Sequence, residues 1–189
     1  MTGRRRGAGA GRAPEPPASG AAAHDAEPDP ESVARAIALR LLTGAPRTRH
    51  QLAEAMARRD VPDDVAARVL DRFTEVGLID DAEYARMFVR AKRSSRGLAG
   101  RALAVELRRT GVADELAAET IAGIDPADEE ETARALVRRK WRPDADPVVQ
   151  TRRMLAMLAR KGYPSGLSRR VVAEMGDDRG DAVPFDTDG

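Results

Sequence analysis

The amino-acid sequence predicts an all-α protein, an elongated tandem array of three three-helix repeats between disordered N- and C-terminal tails. One apolar pattern occurs three times at equal steps of 51 residues. No stretch of five or six residues alternates apolar with polar, the pattern a half-buried strand requires. The hydrophobic share is 42%, yet aromatics are only 3% and the supply is mostly Ala, Leu and Val. Small aliphatic side chains fill thin helix–helix seams better than one deep core, so several small cores are expected.

The step of 51 is carried by Leu52, Leu103 and Met154; by Met56, Leu107 and Leu158; and by Val61, Val112 and Tyr163. Val65, Leu116 and Leu167 follow it, as do Leu70, Ile121 and Val172. One basic column, Arg58, Arg109 and Arg160, travels with them. A fixed period of this length marks stacked supersecondary units that bury their apolar faces against one another. Such arrays present extended surfaces rather than a closed catalytic pocket.

Residues 1–30 are Gly, Ala, Pro and Arg with almost no large apolar side chain. They bury too little to offset ordering entropy and are expected to form a disordered leader. The first repeat, 31–77, is expected to hold helices over 31–43, 48–59 and 63–76. Asp29-Pro30 opens it with an N-cap acceptor and a proline at the first helical position, and Gly77 closes it. Leu78-Ile79 then leads into Asp80-Asp81-Ala82-Glu83, an acidic cap with a glutamate three residues on. That cap opens the second repeat, 78–124, with helices over 80–95, 98–109 and 114–123. Asp125-Pro126 and Asp146-Pro147 repeat the opening signal in the third, 125–175, with helices over 127–141, 147–160 and 165–175. The acidic stretch 176–189 is expected to be an unstructured tail.

With no cysteine, disulfides, thiolate metal sites and cysteine nucleophiles are excluded. Of two histidines, His24 falls in the leader and His50 beside Arg49 at a helix start. No His/Asp/Glu cluster has metal-ligand spacing, and no glycine loop is built to cradle phosphate. Asp80 and Asp81 are explained as helix caps. No catalyst, metal or cofactor is therefore expected. No apolar run approaches the ~20 residues that span a bilayer, and no apolar segment follows the leading arginines. A soluble, cytoplasmic, monomeric protein is the expectation.

The net charge of +1 hides segregation. Residues 86–170 carry nineteen basic and eleven acidic groups, whereas 171–189 carry one and six. A basic second half points to a polyanionic partner or an acidic protein surface. Arg47–Asp81 also resembles half of a winged helix-turn-helix, but the basic helix after Tyr84 stands where the wing belongs. Tyr84, Phe88, Phe73 and Tyr163 are expected in cores, and Trp141 packed with an exposed edge.

Gly77-Leu78-Ile79-Asp80-Asp81-Ala82-Glu83-Tyr84-Ala85 with its trailing basic helix resembles the RecX family, regulators of the RecA recombinase. Gly97-Leu98-Ala99-Gly100-Arg101-Ala102-Leu103 through Glu106-Leu107-Arg108-Arg109-Thr110-Gly111-Val112 is similar to the same family, as is the block from Arg152 through Leu158-Ala159-Arg160-Lys161-Gly162-Tyr163. The resemblance covers about residues 31–175. Two features depart from it. Pro62, Ala113 and Pro164 stand where the family often has a capping Ser or Thr, and Asp60 replaces the usual glycine of the first repeat.

The resemblance implies a non-enzymatic, mainly negative regulator lying in the groove of the RecA–single-stranded-DNA filament. There it would contact several subunits and modulate ATP hydrolysis and strand exchange. The expected contacts with RecA or DNA are Arg90, Arg93, Arg96, Arg101, Arg108, Arg109, Arg138, Arg139, Lys140, Arg160 and Lys161. The alternative is a free-standing helix-turn-helix-like protein that binds duplex DNA.

Overall fold

The computed structural model describes residues 29–142 and 144–177. The expected leader and tail fall mainly on 1–28 and 178–189, outside the described residues. Among the described residues there are nine helices and no strand. Helices α1 (Pro30–Gly44), α2 (Arg49–Ala57) and α3 (Asp63–Glu75) form the first unit. The second contains α4 (Asp81–Arg96), α5 (Gly100–Arg109) and α6 (Asp114–Ala122). In the third, α7 (Pro126–Lys140), α8 (Pro147–Arg160) and α9 (Ser165–Asp177) pack together. Substantial helix–helix packing is confined within each unit.

The phased apolar positions are the reason. Leu52 and Met56 lie in one core with Ile37, Val69 and Phe73. Leu103, Leu107 and Val112 pack in a second with Ala85 and Val89. Met154, Leu158 and Tyr163 pack in a third with Val137 and Val171. Leu52, Met56, Leu103, Leu107 and Leu158 have no exposed surface, so each core is sealed although thin. Trp141 is buried in the third core, with only 7% of its surface exposed. Tyr84 and Phe88 stack with centroids 5.9 Å apart on the rim of the second, and Lys92 sits 5.1 Å over the Phe88 ring.

The sequence signals close the helices as expected. Asp29, Asp125 and Asp146 each accept a first-turn amide ahead of a proline. Gly77 and Gly97 take the left-handed conformation at φ +72° and +59° after α3 and α4. Pro62 and Ala113 provide no side-chain cap; acidic residues in the first turns, Asp63, Asp64, Asp114 and Glu115, complement the helix dipole instead. Two expectations are corrected. Helix α9 runs to Asp177 and so takes in Gly176 and Asp177, because Gly176 is buried against its unit. Asp80 caps its own helix through the Glu83 amide at 2.7 Å, but Asp81 accepts from the Arg49 amide of α2 at 2.9 Å.

That second bond belongs to a joint that occurs twice. At the first joint, Asp81 of α4 caps the first turn of α2; at the second, Glu129 of α7 accepts from the Gly100 amide of α5 at 2.9 Å. Arg49 and Gly100 are 51 residues apart. The Thr48 hydroxyl donates to the Thr110 carbonyl at 2.6 Å, and one step on the Ala99 amide donates to the Lys161 carbonyl at 2.9 Å. The turns that carry these carbonyls contain Gly111 at φ +78° and Gly162 at φ +87°. A Cβ on Gly111 would lie 2.2 Å from the His50 ring, and one on Gly162 would lie 2.4 Å from the Ala102 backbone nitrogen. Glycine is required there because the next unit's turn touches the preceding unit. The in-phase Asp60 also has positive φ, +58°, but it is exposed. Its departure from glycine thus has a steric explanation.

Removing either cross-joint cap leaves a first-turn amide unpaired. Asp81→Ala and Glu129→Ala are each expected to cost about 1 kcal/mol, read as a lowered thermal midpoint. Glu83→Ala, whose carboxylate pairs only with Arg86 on the same exposed face, should cost less than half of that.

Candidate polyanion-docking surface

Periodic helices place the predicted cations on the outside of the second and third units. On α4, Arg90 and Arg93 line a groove of about 430 Å³ with Thr120 and Gly123 of the second unit and Thr132 of α7. Arg101 and Arg109 are exposed on α5, and Arg160 on α8. Arg139 and Lys140 are exposed in the last turn of α7, where a cation also suits the helix dipole. None of these seven makes an ion pair among the described residues.

Three other predicted contacts are engaged internally. Arg96 meets Glu106 at 3.3 Å, Arg108 meets Asp114 at 2.8 Å and Arg138 meets Glu131 at 3.4 Å. These pairs are exposed enough to be exchangeable, each being worth about 1 kcal/mol or less. Acidic residues early in α7 have a structural use. Glu130 pairs with Arg134 and with Arg170 at 2.7 Å, while Glu174 takes the other side of Arg134 at 2.9 Å, tying α7 to α9. That network consumes Arg134 and Arg170 and leaves the end of α7 cationic.

The last predicted contact, Lys161, is half-buried in the turn between α8 and α9. Its ammonium donates across the second joint to the Arg96 carbonyl. Burial, then the charges of Arg96, Arg139 and Lys140, hold its pKa below the ordinary lysine range. The sequence named all four of these cations, but not the bond that ties the Lys161 ammonium to the Arg96 carbonyl across the joint. Thr48, Asp81, Glu129 and the two joint glycines escaped functional notice in the sequence. Gly111 and Gly162 keep the step of 51 that organises the cores, whereas Asp81 and Glu129, 48 residues apart, do not follow it.

Tyr163 seals the second joint from inside. Its hydroxyl, 3% of the residue being exposed, donates to the Gly97 carbonyl at 3.1 Å. Burial, reinforced by Glu129, pushes its pKa up to about 12. The folded state therefore holds the phenol proton after the unfolded chain, with its pKa of about 10, has released it. The stabilisation is whole below pH ~10 and is lost as pH rises from there through 12. Alkaline titration followed by circular dichroism should show this loss, and Tyr163→Phe should remove the step.

His50 packs on Gly111 with its side chain 54% exposed, and its ring nitrogen faces Glu54 at 3.4 Å. His24 lies outside the described residues. Among the described residues no group of three metal-capable side chains comes together, and no helix is long and apolar enough to cross a membrane.

Stacked three-helix units with duplicated joints, and unpaired surface cations over two of the units among the described residues, define a helical-repeat protein. Family models described as the first, second and third RecX three-helix domains match residues 34–73, 80–121 and 128–172. The chain belongs to the RecX family. It is 51% identical over 154 residues to Regulatory protein RecX of Thermobifida fusca, covering 80% of this chain and 83% of that protein. The protein of the same name from Streptomyces coelicolor is 50% identical, with 81% and 82% covered. That from Mycolicibacterium smegmatis is 47% identical, with 79% and 83% covered. The crystal structure of RecX from Lactobacillus salivarius superposes with a TM-score of 0.71 at 19% identity, over 78% of this chain and 97% of that one. At that identity the likeness shows the fold alone.

Proposed function

We propose that this chain is a mainly negative regulator of a RecA recombinase, acting on the RecA–single-stranded-DNA filament. In this reading it lies in the filament groove, touches several subunits and modulates ATP hydrolysis and strand exchange without chemistry of its own. The observation that carries it is the run of cations without ion-pair partners among the described residues, from Arg90 and the half-buried Arg93 through Arg101 and Arg109 to Arg139, Lys140 and Arg160. A filament is a periodic anionic polymer, and two joints of similar build, 51 residues apart, give the repeats a regular step with which to follow it. Exposed contacts of about 1 kcal/mol or less become useful affinity only when many act together. The RecX relationship supplies the name of the partner.

The deciding experiment is a single-stranded-DNA-dependent ATPase assay of the cognate RecA with the full chain titrated in. Hydrolysis should fall in a saturable, salt-sensitive manner. An unaltered rate at saturating protein would contradict the proposal. Tight, sequence-selective binding to duplex DNA with no recombinase present would favour the helix-turn-helix alternative instead.

A further inference from the structure

We infer that the C-terminal segment Val183-Pro184-Phe185 of this same chain docks into the apolar groove between α5, α6 and the α8–α9 turn, covers Arg101 and so competes with the filament for that cation. The competition rests on the reading that Arg101 meets the filament; the docking itself does not.

The groove has a volume of about 510 Å³ and is walled by Ala104, Ala118, Ile121, Ala122, Ile124 and Pro164. Arg101 also lines it, exposed and without an ion pair among the described residues. The Glu129 carboxylate beside it is already occupied by the Gly100 amide at 2.9 Å. The repeat shows how the groove arises. At the first joint Arg49 of α2 and Asp71 of α3 form an ion pair at 2.7 Å. One step of 51 on, Gly100 and Ala122 stand in their places, so α5 and α6 lack the pair that spans α2 and α3. What is left between them is apolar wall open to water, and an apolar side chain laid on it is stabilised.

Apolar content, charge and reach together select the occupant. Residues 1–28 contain no Val, Leu, Ile, Phe, Tyr or Trp, so the other end of the chain carries no anchor for such a groove. Residues 178–189 contain Val183 and Phe185 on either side of a proline, which biases Val183 toward extended backbone and lowers the cost of ordering. Phe185 brings the largest apolar surface of the segment. Asp181, Asp186 and Asp188 flank the triplet, opposite in charge to Arg101. Helix α9 begins at Ser165, next to Pro164 of the groove wall, and its 13 residues cover ~20 Å. The eight residues from Asp177 to Phe185 reach ~26 Å when extended. The segment is therefore long enough to return along α9 to the groove. Tethered in this way it is presented at an effective concentration on the order of millimolar, at which a weak contact suffices.

The chain has four isoleucines, and their labelled δ1 methyls report on the contact. Ile121 and Ile124 line the groove, whereas Ile37 and Ile79 lie in the first core. In the full chain, Val183→Ser with Phe185→Ser, which leaves the charge unaltered, removes the Phe185 ring current. The Ile121 and Ile124 signals should shift, those of Ile37 and Ile79 should stay in place, and the difference should not depend on protein concentration. With Ala122→Asp already present, the same tail change should move no methyl, because the added carboxylate repels the acidic segment. Groove methyls unmoved by the tail change would overturn the docking. A difference that fades on dilution would overturn it in favour of the tail of a second copy. In the ATPase titration the tail variant should inhibit at about threefold lower concentration than the parent, the ratio for a groove closed in about two thirds of the molecules. An equal midpoint beside shifted methyls would overturn the competition alone. The methyl spectra need no RecA, so failure of the docking is separable from failure of the regulator reading.

Discussion

Gly162→Ala is expected to destabilise the chain by about 3 kcal/mol, more than the same change at any other described glycine. Two costs add: a non-glycine residue held at φ +87°, and a methyl group placed 2.4 Å from the Ala102 nitrogen and 2.9 Å from its Cβ. The obstacle is helix backbone, which cannot swing aside, so the second joint must open. The parallel changes set the scale. Gly111→Ala meets the His50 ring, a half-exposed side chain that can rotate away, and should cost about 1–2 kcal/mol, chiefly from φ +78°. Asp60→Gly, on an exposed turn, should stay within about 1 kcal/mol of the parent. Chemical denaturation of the three variants gives the order directly. Equal costs at 60, 111 and 162 would mean that the joints are not close-packed as described.

Leu107→Ala should cost about 3 kcal/mol as well, but with a different signature. Leu107 has no exposed surface and lies at the centre of the second core among Ala85, Leu103 and Val112. Loss of its side chain removes transfer energy and leaves a cavity. Because helix packing is confined within units, the loss should be local. Hydrogen exchange should show α4–α6 losing protection first, while the α1–α3 and α8–α9 amides keep theirs. A uniform loss across all nine described helices would show one cooperative core instead of three.

The fold was legible because its determinants are local or periodic. The proline-led caps at Asp29, Asp125 and Asp146, the stop at Gly77 and the phased columns through Leu52, Leu103 and Met154 act within a helix or one unit. Asp81 was misjudged for the opposite reason. A cap signal in sequence assigns an acid to its own helix, and only the stacked arrangement turns that carboxylate toward α2. The surface was half legible. Exposure of Arg101, Arg109 and Arg160 follows from helical phase, because each sits outside its apolar stripe. That Arg96, Arg108 and Arg138 are partly neutralised, and that Lys161 reaches the Arg96 carbonyl, depends on turns and joints that periodicity does not encode.

In the proposed function, cations of the second and third repeats dock this chain on an anionic filament. Binding to preformed RecA–single-stranded-DNA filaments tests it most directly, comparing Arg101→Glu, Arg109→Glu and Arg160→Glu together with a first-repeat control of equal charge change, Arg40→Glu, Arg47→Glu and Arg59→Glu. All six arginines are exposed and make no ion pair among the described residues. The first set is expected to lower affinity on the order of 100-fold, three lost contacts of about 1 kcal/mol each, with helicity unchanged; the control should lose far less. Equal losses from both sets, or none from the first, would contradict the claim.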